Sequence, residues 1–295
     1  MQSYLPAYIR NKNRALVLNL FLESENLTRA DVTKLTNVSF PTVIKIVDYL
    51  LSKRILTETS GGSSFSDSKL GRKGQPLRLN ANAYSAVGIH FEGNYLHVGL
   101  VNLSHTLLDL KSFHYSELGS ECVEGRDYAR ISAHMTDTIR HFQKGHPDTT
   151  ILGVGLGLPG IINSEAKTII VRSYDSPKEF LELFGTFKNL KEIPYFIEND
   201  MNAASLGEWL LRKESNLIYL ALGTGFGGGV IMNGHVWQGA SNYAGNMGNL
   251  LSAYEYGIDS TELESRRTEG RINISAIKER FGVDIRKDED VPDET

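Results

Sequence analysis

The chain has 295 residues, 41% of them hydrophobic and 22% charged, a globular composition with room for two or three compact units. The single cysteine, Cys122, rules out an internal disulfide framework and a multi-cysteine zinc site. No run approaches the roughly 18 apolar residues of a membrane span and no signal segment opens the chain, so the expectation is a cytoplasmic protein with no membrane partner. The net charge of −4 hides a split: residues 1–80 carry 12 Lys+Arg against 6 Asp+Glu, and the remaining 215 carry 19 against 29. A small basic module that meets a polyanion, attached to an acidic body, fits that asymmetry; uneven solvated surface charge fits it as well.

Residues 13–22, NRALVLNLFL, place Leu16, Val17, Leu20 and Phe21 at helical spacing, one apolar face with Arg14 and Asn19 off it, and predict a first helix. LTRADVTKL then supplies Thr28 as N-cap with Asp31 three positions on, a capping-box variant, and Val32 and Leu35 as the buried side of a short second helix. Ser39 is expected to cap a third helix, FPTVIKIVDYLLSK, whose Pro41 falls in the first turn, where a missing N–H costs nothing. Val43, Ile46, Val47 and Leu50 form its inward stripe; Thr42, Lys45 and Tyr49 share another face.

Three short helices with a tight turn between the last two, followed by the strand ILTET and a Gly/Ser-rich basic loop, read as a winged helix-turn-helix over residues 1–80. In that arrangement Ser39, Phe40, Thr42 and Lys45 reach base edges or phosphates in the major groove. Arg72 and Lys73, between Gly71 and Gly74, form a wing tip for a phosphate or a minor groove. A three-helix protein-docking module with a solvated tip is the other reading of the same pattern.

From about Ala81 the pattern changes to mixed α/β. SAVGIHF, YLHVGLV and HTLLDLKSFHY predict three strands, and Tyr128, Ile131, Met135, Ile139 and Phe142 mark the helix that follows. ILGVGLGLPG predicts a buried strand running into a glycine-proline turn. PYFIEND predicts a strand ending in polar groups just before the helix NAASLGEWLLR, the place where open α/β sheets keep their chemistry. Asn199 and Asp200 there are either a helix cap or ligand contacts. Next comes LIYLAL and then GTGFGGG at 223–229, whose five glycines either cradle phosphates or make a tight turn. The run matches neither the lysine-bearing phosphate loop nor the dinucleotide fingerprint.

In order and spacing, the head sequence followed by GLGLPG, ENDMNAASLGE and GTGFGGGVIMNGHVWQGASNYAGNMG resembles the ROK family (repressor, open reading frame, kinase), in its branch with an N-terminal winged helix-turn-helix. The resemblance covers about residues 10–265. It implies an actin-like sugar-kinase body (ribonuclease H-like) of two lobes, the first over 81–198 and the second over 199–295, with sugar and nucleotide meeting between them. It implies further that Asp200 matches the kinases' catalytic base, and that Gly160, Asn199, Asp200 and Glu264 line a sugar site.

The departures are as informative. Where the kinases resemble G-I-D-I-G-G-T, this chain has GIHFEGN, with His90 for the aspartate and Glu92 for a glycine. A carboxylate at about 4 Å from phosphate charge costs about 1 kcal/mol in water and about 4 at an effective dielectric of 20. With that loop altered, no ATP is expected; Asn246 and Asn249 replace the family's glutamate and histidine, and no cysteine lies between them and Glu264, so no zinc is expected either and amides take over as sugar contacts. Only a short tail follows Gly270, with Ile274, Ile277 and Phe281 as one amphipathic helix, so the second lobe is expected to be incomplete.

The expected function is a homodimeric repressor of carbohydrate-utilisation genes that binds operator DNA and responds to a sugar or sugar derivative, with kinase activity lost. The alternatives are an ATP-dependent sugar kinase using Asp200, and a truncated paralogue that modulates full-length relatives.

Overall fold

The computed structural model describes residues 6–60, 74–92, 95–118, 128–171, 193–223, 225–249 and 272–282. They fall into two units, one of Met1–Ala86, Leu100–Asp109 and Arg140–Leu152, the other of Val87–Gly99, Leu110–Ile139 and Gly153–Thr295. Arg72, Lys73 and Glu264, expected contacts from the sequence, lie outside the described residues.

The first unit opens with α1 (Pro6–Glu23), α2 (Arg29–Thr36) and α3 (Phe40–Ser52), followed by the antiparallel pair β1 (Leu56–Glu58) and β2 (Leu77–Leu79). Val17, Phe21, Leu27, Val32, Val43, Ile46, Val47, Leu50, Leu56 and Leu77 make one core. Each large aliphatic or aromatic side chain so buried contributes about 1.5–3 kcal/mol. The inward stripe of α3 is as its spacing requires. Two expected core positions are not: Leu16 and Leu35 are exposed. Successive residues on a helix point about 100° apart, and with Val17 and Phe21 facing inward Leu16 is turned away. Helix α2 is only two turns long and presents Val32 to the core, so Leu35 in its last turn faces out.

The start of α2 is fixed by a complete capping box. Thr28 N–H and Oγ1–H donate to Asp31 Oδ2 at 2.9 and 2.6 Å, and Asp31 N–H donates to Thr28 Oγ1 at 3.2 Å, with both residues buried. Replacing Thr28 by alanine removes the cap and a donor from a buried carboxylate, for an expected loss of about 1–2 kcal/mol in chemical unfolding of the chain. Asn37 ends α2 in the left-handed region, φ 55°, which asparagine tolerates and which turns the chain sharply into α3. Ser39 occupies the N-cap position of α3 but its side chain caps nothing, contrary to expectation. Its carbonyl already accepts from Thr42 N–H and Val43 N–H, and its hydroxyl pairs instead with Thr42 Oγ1 at 2.9 Å on the exposed side.

At its other end α3 is sewn to β3 (Tyr84–Glu92). Tyr84 O–H donates to the Lys53 carbonyl at 2.9 Å, and Asn80 N–H to the Ile55 carbonyl at 2.8 Å.

The second unit contains most of a five-stranded sheet in the order β5–β4–β3–β6–β9, with β4 (Tyr95–Asn102), β5 (Leu107–His114), β6 (Thr150–Leu158) and β9 (Tyr195–Asn199). β6 and β9 run parallel with Leu158 opposite Asn199. Helix α4 (Tyr128–Gly145) buries Ile131, Met135, Ile139 and Phe142 completely, as the sequence spacing predicts. β7 (Ile161–Asn163) and β8 (Thr168–Val171) form a small hairpin, and α5 (Asp200–Arg212) follows β9 directly.

A separate three-stranded antiparallel sheet, β10 (Leu217–Leu222), β11 (Phe226–Met232) and β12 (His235–Val236), packs against α5. Ile218, Leu220 and Leu222 are exposed on one of its faces. The last described element is α6 (Ile274–Phe281), with Ile274 and Ile277 half-buried but Phe281 exposed, so the expected apolar stripe stops one turn early.

The glycine run is not the turn that its composition suggests. Of the described residues, Gly223 and Gly225 turn the chain, while Gly227, Gly228 and Gly229 lie within β11. A Cβ on Gly227 would sit 2.8 Å from Met201 Cγ, and one on Gly229 would sit 2.6 Å from Ser205 Oγ and 2.7 Å from the Met201 carbonyl oxygen. Close approach of helix α5 to the strand is therefore what requires Gly227 and Gly229, while at Gly228 a Cβ would sit 2.7 Å from the Tyr219 carbonyl oxygen of β10.

Candidate ligand site and nucleic-acid surface

β9 carries its polar residues to its C-terminal end, where α5 begins. Asn199 is the N-cap of α5, its Oδ1 accepting from Asn202 N–H at 2.9 Å. Its Nδ2 donates to the Gly160 carbonyl at 2.8 Å and to Asp200 Oδ1 at 3.1 Å. Gly160 has φ 114°, a conformation side-chain-bearing residues avoid, and this aims its carbonyl at Asn199. Met201 N–H also donates to Asp200 Oδ1, at 2.9 Å. The capping and contact readings of Asn199 and Asp200 are thus compatible: one side chain closes the helix and steadies the other.

Burial raises the Asp200 carboxyl above its usual pKa; the Met201 N–H, the nearby His90 imidazole and the residue's own N–H pull the other way without cancelling it. A folded-state value above the unfolded one means that the folded chain keeps a proton that the unfolded chain has released. The contribution to stability is then full below the unfolded pKa and is lost as pH rises through the folded one. Asp200→Asn removes this loss. Thermal melts between about pH 4 and about pH 7 are expected to show the variant gaining on the wild type toward neutral pH.

Glu198, Ser164 and Gln238 join this cluster, and the sequence reading did not single them out. Ser164 Oγ–H donates to Glu198 Oε2 at 2.6 Å, and Gln238 Nε2 reaches Glu198 Oε2 and Ser164 Oγ, each at 3.0 Å. Glu198 was legible as part of E-N-D; Gln238, 40 positions further on, carries no local signal. Asn246 and Asn249 share a short turn, with Asn249 N–H donating to the Asn246 carbonyl at 3.3 Å, and Gly245 before them packs on β11 at Gly228. Among the described residues no hydrogen bond joins either asparagine to Asp200. Among the described residues, no three His, Cys, Asp or Glu converge as a metal site would need.

On the head, Ser39, Phe40 and Lys45 are exposed and Thr42 is half-buried at the start of α3. Tyr49, on the same side, is covered by the Arg14 guanidinium 3.6 Å from its ring centre. No described helix is long and apolar enough to cross a membrane.

The profile of the ROK family matches residues 88–260. The chain belongs to the ROK family. A xylose repressor of Caldicellulosiruptor bescii is 29% identical over 252 residues, which are 84% of this chain and 60% of that protein. A glucokinase of Halalkalibacterium halodurans is 30% identical over 134 residues, 44% of this chain and 40% of that one. The crystal structure of a ROK family transcriptional regulator, a homologue of the E. coli MLC protein, superposes with a TM-score of 0.69 at 20% identity, over 92% of this chain and 67% of that one. The mixed α/β body accordingly has the ROK sugar-kinase, actin-like fold. The chain spans about 60% of the length of the curated repressors it matches.

Proposed function

We propose that this ROK chain is a DNA-binding transcriptional regulator, a repressor of carbohydrate-utilisation genes that responds to a sugar. The carrying observation is the likeness to xylose repressors across 84% of the chain, against 44% for the glucokinase. In this reading α1–α3 with β1 and β2 form a winged helix-turn-helix. Residues 1–80 are the DNA-binding domain and 81–198 and 199–295 the two lobes. The exposed Ile218, Leu220 and Leu222 on the three-stranded sheet support an incomplete second lobe.

Helix α3 enters the major groove. Ser39 and Thr42 offer hydroxyls that cap no helix, Phe40 an exposed ring for a thymine methyl, and Lys45 a charge for a phosphate or guanine; Arg72 and Lys73 would add wing contacts. A homodimer places two such helices about 34 Å apart. The sugar, D-xylose by analogy with the relatives, binds at Gly160, Asn199 and Asp200, with Asn246, Asn249 and Glu264 completing the site. A regulator of this kind works in the cytoplasm.

Kinase activity is lost in this reading. His90 occupies the position of the kinases' aspartate, and packing accounts for the β11 glycines that would otherwise speak for phosphate, helix α5 at Gly227 and Gly229 and the Tyr219 carbonyl of β10 at Gly228. A gel-shift assay against the gene's own promoter region tests it. Selective retardation, relieved by a sugar, is expected, and equal affinity for random DNA would overturn it. Retention of Asp200 at the position of the kinases' base, at the junction of β9 and α5, favours the kinase alternative. That alternative requires sugar-dependent ADP release abolished by Asp200→Asn.

A further inference from the structure

We propose that Gln238 is a positioning residue for the Asn199–Asp200 pair, clasping the three-stranded sheet to the end of β9 through the Glu198 carboxylate. The inference rests on the reading of that pair as the ligand site. Glu198 Oε1 accepts from Asn199 N–H at 2.9 Å, Asn202 Nδ2 at 3.1 Å and Gln238 Nε2 at 3.3 Å. Oε2 accepts from Ser164 Oγ–H and Gln238 Nε2. All these donors are neutral, and they come from the β7–β8 turn, the first turn of α5 and the segment after β12. Gln238 alone comes from the side of the three-stranded sheet.

The orientation of Asn202 shows how strongly the carboxylate organises its surroundings. This residue is 4% exposed, and its Oδ1 is buried with no hydrogen-bond partner while its Nδ2 serves Glu198. Turning the amide over would set its carbonyl against a carboxylate, so the unpartnered oxygen is the cheaper arrangement. Through Asn199 N–H the same carboxylate fixes the backbone of the residue whose side chain holds Asp200 Oδ1. Loss of Gln238 frees one sheet from this anchor and loosens the pair that faces the ligand.

Hydrogen exchange of the whole chain tests the clasp without any ligand. Trp237 N–H donates to the Val230 carbonyl and Ala244 N–H to the Gln238 carbonyl, so both amides report on this segment. In Gln238→Ala and Glu198→Gln they are expected to exchange about tenfold faster or more, with α3 amides unchanged. The double variant Glu198→Gln with Gln238→Glu re-forms an amide–carboxylate pair with its polarity exchanged, and is expected to restore protection in part. Ser164→Ala, which removes one donor, serves if Gln238→Ala does not fold. Calorimetry with D-xylose is expected to show affinity falling about tenfold in Gln238→Ala. Unchanged exchange at Trp237 and Ala244 would overturn the clasp. Absence of D-xylose binding by the wild type would count against the ligand reading and leave the exchange result to decide the clasp.

Discussion

Gly229→Ala is expected to destabilise the chain by about 3 kcal/mol, at the upper end of ordinary overpacking. The new methyl carbon would lie 2.6 Å from Ser205 Oγ, 2.7 Å from the Met201 carbonyl oxygen and 2.8 Å from Ser205 Cβ. None of these is the loose end of a side chain. Ser205 is fully buried with its hydroxyl donating to the Asn202 carbonyl, and the Met201 carbonyl belongs to the backbone of α5. Relief therefore requires α5 to move off β11. Gly227→Ala meets the Met201 thioether arm at 2.8 and 3.2 Å, a side chain with three rotatable bonds, and should cost about 1 kcal/mol. Urea unfolding of the two variants decides the matter. Equal, small losses would show that the helix does not hold the strand this closely.

Thr42→Ala combined with Lys45→Ala is expected to weaken operator binding by about 2–4 kcal/mol, some 30- to 1,000-fold, if α3 reads DNA. Lys45 contributes the part that depends on salt: if it meets a phosphate, the slope of affinity against salt should fall by about one counterion. The fold should be spared, because Lys45 is exposed and the only described hydrogen bond of Thr42's hydroxyl is to Ser39 on the solvent side. Lys144→Ala, in the last turn of α4, removes an equal charge from an exposed site outside the head and is the control. Fluorescence anisotropy with operator and random duplexes over a range of salt concentrations measures all three quantities. Undiminished affinity in the double variant would remove α3 from the interface.

The head was legible in the sequence because what shapes it is local. The stripe Val43, Ile46, Val47 and Leu50 and the Thr28–Asp31 box depend on residues within two turns of one another. Leu16 and Leu35 were misplaced for the complementary reason: spacing tells which residues share a face but not how wide a face the neighbouring helices cover. At the body site, Asn199 and Asp200 were legible from their place between a strand and a helix. Gln238 was not, since its partner lies 40 positions away and nothing in GHVWQG marks it. The β11 glycines looked like loop residues because composition reports small size without saying what occupies the space. The structure shows Met201 and Ser205 against Gly227 and Gly229 and the Tyr219 carbonyl against Gly228, which no local pattern marks.

The bond from Tyr84 to the Lys53 carbonyl bears on how α3 is steered under its proposed role in reading DNA. Helix α3 has 13 residues and is about 20 Å long. Packed along its length into the core of the head and tied at its trailing end, it would tilt together with that core, with the root of a β-strand as fulcrum. A tilt of about 3° there sweeps its leading tip through about 1 Å, enough to pull a side chain out of hydrogen-bonding range of a base. Very small rearrangements at the first residue of β3 are thereby magnified at the helix tip, with no need to unfold or release the head.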